Sequence, residues 1–180
     1  MRRLLTAAII LCSLSGCAIY DDIMQQDQDA SPQRLTAEDT SRITELSIAT
    51  GRYGVMLSQA RDILRLPESV TAGDAVAPAA GDPLRELRGI TEQQVRVARE
   101  LAGDTAAACG RPDMPEGVRA VACETARAVP VSLQQAVPAE VPAVAERDQQ
   151  LGALVMGWWE KACSVAPQPA AGEPHACSIE

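Results

Sequence analysis

Proline divides this chain before any other feature does. The 180 residues include 12 prolines, and a proline inside a helix removes a backbone donor and clashes with the preceding turn. The stretches that proline leaves open carry helical spacing, and no strand-like alternation persists between them. The expected class is therefore all-α: a small bundle of about four helices over residues 36–165. Hydrophobic residues make up 47% of the chain and mean hydropathy is -0.04. That is enough apolar material for a packed core and too much for disorder throughout.

The first helix is predicted from Thr36 to Leu66, ended by Pro67. Ile43, Leu46, Thr50, Tyr53, Leu57, Ala60 and Leu64 recur at alternating steps of three and four, a seam of coiled-coil type. Thr36 with Asp39 resembles a capping box, and Gly51 and Gly54 weaken the middle. After an Ala/Pro/Gly-rich loop, Asp82-Pro83 opens a second helix as cap and first-turn proline. Leu84, Leu87, Ile90, Val97, Ala98 and Leu101 share its broad face. Arg85, Arg88, Glu92, Arg96 and Arg99 form a stripe opposite. This helix is expected to fail at Gly103 or to continue weakly to Cys109-Gly110. A turn at 111–115 leads to a short helix, Glu116 to Ala128, with Val118, Val121, Ala122 and Thr125 inward. Pro130, Pro138 and Pro142 then make a loop with one helical turn near Leu133. The last helix runs from Ala143 to Cys163. Leu151 to Trp159 is apolar on every side, which predicts the central, most buried helix.

Four cysteines, Cys109, Cys123, Cys163 and Cys177, lie in this region and allow three disulfide connectivities. Cys109 and Cys123 flank the proline turn. Cys163 ends a helix, and Cys177 sits on a Pro/Ala-rich tail, 166–180, that can fold back. Short loops close with the least entropy, so sequential pairing is expected. Neither spacing suits a zinc knuckle, so no metal is expected.

The N-terminus carries an address. Met1-Arg2-Arg3 is basic, Leu4 to Leu14 is apolar, and Leu14-Ser15-Gly16-Cys17 follows. In that order these residues resemble a bacterial lipoprotein precursor, with a signal peptide at 1–16 and a lipobox ending at Cys17. Cys12 lacks the preceding small residue and is a passenger. The resemblance covers residues 1–17 only. It implies that Cys17 is diacylglycerylated and that cleavage after Gly16 frees an amine for a further acyl chain. It also implies that Ala18, which is not Asp, sends the protein to the outer membrane, facing the periplasm. Three acyl chains hold a domain firmly where one would not. Residues 17–35, with Asp21, Asp22, Asp27 and Asp29 among glutamines, read as a flexible acidic tether. Loss of Arg2 and Arg3 leaves 14 positive against 24 negative side chains, a net of -10.

Composition excludes several functions. Nucleic acid is not an expected partner of so acidic a chain. Aromatic residues are only 2%, which leaves no base-stacking platform. The single histidine, His175, lies on the tail and reads as a surface residue. No HExxH, GxSxG, Walker loop or GxGxxG occurs. No catalytic residue and no cofactor are expected. Two surfaces are candidates for a protein partner in the envelope. One is the stripe of Arg85, Arg88, Arg96 and Arg99, the preferred one, which suits an acidic partner. The other is Trp159, since adjacent tryptophans point about 100° apart on a helix and one can reach outward while Trp158 fills the core. The expected function is a non-catalytic helical interaction module assisting envelope or secretion-apparatus assembly. The rivals are an immunity or inhibitor lipoprotein against an envelope toxin or hydrolase, and an enzyme with an unrecognised acidic site.

Overall fold

The computed structural model describes residues 35–68, 82–167 and Cys177. The lipobox with Cys17, the acidic stretch before Leu35, and His175 lie outside the described residues. The described helices belong to one compact unit that begins at Ala37. They are α1 (Ala37–Leu64), α2 (Pro83–Gly110), α3 (Glu116–Ala128) and α4 (Val141–Ser164), with a single 3₁₀ turn at Val131–Gln134. There is no strand among the described residues. The fold is a small all-α bundle stapled by two disulfides, Cys109–Cys123 and Cys163–Cys177, with Cα–Cα separations of 4.8 and 5.8 Å. Both are the sequential pairs.

The helix ends follow local chemistry. Asp82 caps α2, its Oδ1 accepting from the Leu84 and Arg85 amides at 3.1 and 3.4 Å, with Pro83 in the first turn. The α1 seam is buried as spaced, from Ile43 through Leu64 with Tyr53 half-buried. Its helix stops at Leu64, short of the Leu66 expected from Pro67. Arg65 turns left-handed at φ 50°, and the Leu66 amide reaches back to the Arg61 carbonyl at 2.9 Å while the Arg65 amide bonds Asp62 at 3.2 Å. These are the two bonds of a Schellman stop. Arg111, in the turn after α2, donates to the Leu64 and Arg65 carbonyls at 3.0 and 2.8 Å. It thereby satisfies acceptors that the helix end leaves open.

Of the two ends expected for α2, Gly103 and Cys109-Gly110, the second is the one observed. The helix continues to Gly110 because Leu101, Asp104, Thr105 and Ala108 are buried across that stretch, and packing of four side chains outweighs one glycine. One expectation needs correction: α4 is not the central helix. Ala153, Met156 and Gly157 are exposed, so the apolar run has a surface side. α2 is central, for it packs against α1, α3, α4 and the 3₁₀ turn. Pro142 also sits inside the first turn of α4 instead of before it, where its missing amide has no partner to lose.

The three long helices run in the same direction. On α1 and α4, Tyr53 meets Asp148, and farther along Gln59 meets Trp159. On α1 and α2, Arg61 meets Asp104, and farther along Arg111 reaches Leu64. α3 returns against α2, with Cys123 bonded to Cys109 and then Gln134 held by Arg99. The core between them gathers Leu57, Leu101, Leu151, Val155 and Trp158, all fully buried.

Candidate interaction surface

The arginine stripe does not form one uniform surface. Arg85 and Arg88 are exposed on α2. Arg96 is half-buried, and its charge acts on the Glu100 carboxyl. Arg99 is exposed, but its Nε donates to the Gln134 carbonyl at 3.1 Å and so ties down the 3₁₀ turn. Stripe geometry on a bare helix cannot anticipate this, because the acceptor belongs to a connection placed by the fold.

The tryptophans divide their roles as the 100° offset requires. Trp158 is fully buried. Trp159 is half-buried against the core, and its Nε1 donates to Gln59 Oε1 on α1 at 3.3 Å. Around that contact the two helices present apolar side chains to solvent. Val55, one turn before Gln59 on the same face of α1, is 57% exposed. Ile48, two turns earlier on that face, is also 57% exposed, and Met156, one turn before Trp159 on α4, is 50% exposed. Helical register thus sets three of the large exposed apolar side chains along the two helices, all before the point where Trp159 and Gln59 join them.

Ionisable groups inside the bundle are held in structural contacts that the sequence did not reveal. Arg61 forms a two-point pair with Asp104 at 2.9 and 3.2 Å and approaches Glu100 at 3.8 Å. Burial pushes the Asp104 carboxyl up against the opposing pull of Arg61, and it raises Glu100 likewise. Arg147 is buried and donates to the Gln135 carbonyl at 2.7 Å and to the Leu133 carbonyl, locking the connection into α4. Burial lowers its pKa. Tyr53 Oη donates to Asp148 Oδ2 at 3.2 Å. Burial, then the charge and hydrogen bond of Asp148, push the phenol up to about 12.

A shallow depression lies where α1 and α4 begin, lined by Glu38, Asp39, Ser41, Arg42, Glu45 and Val141. Glu38 and Asp39 sit in the first turn of α1, where the helix dipole favours negative charge. Among the described residues no group of three His, Cys, Asp or Glu side chains is placed to hold a metal ion. No helix there is long and apolar enough to cross a membrane. No protein-family model, curated protein or solved structure matches the chain.

Proposed function

We propose that this chain is a non-catalytic lipoprotein of the cell envelope, acylated at Cys17 and held on the outer membrane facing the periplasm. Its helical bundle serves as an interaction module for a protein partner in envelope or secretion-apparatus assembly. The observation that carries the reading is the set of exposed apolar side chains Ile48, Val55 and Met156 on the two helices that Trp159 and Gln59 join. Desolvated aromatic anchors with apolar neighbours are what protein interfaces rest on. The two disulfides support an oxidising compartment, since cytosolic thiols stay reduced. The lipobox supplies the anchor.

The test uses exposed positions so that binding and folding are read separately. Val55→Asp with Met156→Asp should alter stability by only about 0.5 kcal/mol each, as surface substitutions do. The expected result is loss of a specific partner captured from envelope extract by the wild type, with Arg85→Glu/Arg88→Glu run in parallel. An unchanged partner set for both double variants, with the fold intact, ends the binding-module reading. Cys17→Ser should abolish palmitate incorporation, and label retained at wild-type level would place the anchor elsewhere.

A further inference from the structure

α1 carries a second seam opposite its buried one. Ser41, Thr44, Ile48, Gly51, Val55 and Ser58 follow one another at alternating steps of three and four, the spacing that keeps side chains on one stripe of a helix. All but Gly51 are exposed, and a Cβ built on Gly51 would meet nothing within 4 Å. Ile48 and Val55, each 57% exposed, occupy one alternating position. Thr44, Gly51 and Ser58, all small, occupy the other. One flank of the stripe carries Glu45 and Arg52, which are opposite in charge and two turns apart. Arg52 is exposed and forms no salt bridge among the described residues. The Glu45 side chain is 63% exposed and pairs with Arg42 at 3.0 Å, a surface contact that holds it only weakly.

We propose that the occupant of this face is a second copy of the chain, its α1 laid antiparallel on the first. The charges set the orientation. In a two-fold antiparallel pair each flank meets the same flank of the other helix, whereas in a parallel pair opposite flanks meet. Glu45 and Arg52 share one flank, and the opposite flank has Ser47 and Gly54 at the matching positions. The antiparallel pair alone therefore brings Glu45 of each copy to Arg52 of the other.

The same register matches the apolar positions. Ile48 falls beside Gly51 of the second copy and Val55 beside Thr44, and symmetry repeats each contact. Gly51 is dispensable to the fold of one chain, and its missing side chain leaves the room that Ile48 of the second copy fills. The seam has no aromatic anchor, so the pair is weak between chains free in solution. Copies anchored in one membrane meet at a higher effective concentration, which offsets that weakness. The dimer rests on the interaction-module reading and names what covers the α1 side of that surface.

The experiment is sedimentation equilibrium of the purified full chain at low salt, in density-matched detergent micelles kept in excess over protein. The expected result is a reversible monomer–dimer equilibrium. Arg52→Glu and Glu45→Arg each replace attraction by repulsion at both symmetric contacts, and each should weaken the dimer about tenfold. The two substitutions together in one chain should restore the wild-type equilibrium. Circular dichroism checks that these exposed substitutions leave the helices intact. A chain that stays monomeric at every concentration overturns the dimer, and so does a dimer indifferent to Arg52→Glu or not restored by the double substitution. A monomeric chain that still captures a different protein through Val55 and Met156 overturns the dimer alone and leaves the interaction-module reading standing.

Discussion

Gly152 shows how a single position acquires its meaning from a distant one. A Cβ built there would collide with Tyr53 Oη and stand 3.0 Å from its Cζ. Tyr53 cannot withdraw without stretching its bond to Asp148, already 3.2 Å long. Gly152→Ala is therefore expected to lower stability by about 1–3 kcal/mol, the usual cost of overpacking. Gly157→Ala, with nothing within 4 Å of its Cβ, should do the opposite by up to about 1 kcal/mol. Urea denaturation of the two variants side by side checks the contrast. In the sequence both glycines belong to one apolar run and look alike. Arg61 and Arg147 were equally opaque, because the carboxylate of the one lies 43 residues away and the carbonyls of the other belong to a connection.

α1 is the helix most legible in the sequence, and it holds an avoidable weakness. Its seam positions are the buried ones, and Gly51 and Gly54 interrupt it where neither has any atom within 4 Å of a Cβ. No close approach among the described residues requires them. Gly51→Ala and Gly54→Ala should each raise stability by about 1 kcal/mol, the propensity difference in a helix interior, seen as a higher urea midpoint with unchanged slope. α2 was legible at its start, where Asp82 and Pro83 act locally, while its end was left between Gly103 and Gly110. Gly103 reads as a stop only until the burial of Asp104 and Thr105 is known. In α4 the run Leu151 to Trp159 offers no polar residue to mark an outer side, so composition could not show that Ala153 and Met156 face solvent.

The two disulfides act on the molecule as a whole, and differently from the helices. Each closes a loop with a sequence separation of 14, which by chain entropy contributes about 3 kcal/mol. Reduction should lower the thermal midpoint while far-UV circular dichroism keeps its helical signature below that midpoint. Non-reducing peptide mapping should return Cys109–Cys123 and Cys163–Cys177. The helical class, the segments, several of their ends and the pairing of the cysteines were all determined by the sequence alone. These depend on interactions within a few residues or on the length of a loop. Tertiary structure decided the rest: that α1, α2 and α4 run in the same direction, that α2 is central, that Arg99 is spent on a carbonyl, and that Trp159 lies at an apolar seam. Each of those rests on contacts such as Tyr53 to Asp148, 95 residues apart. A helix's own hydrogen bonds and propensities are blind to such partners, whereas burial and side-chain geometry between helices select among the packings they permit.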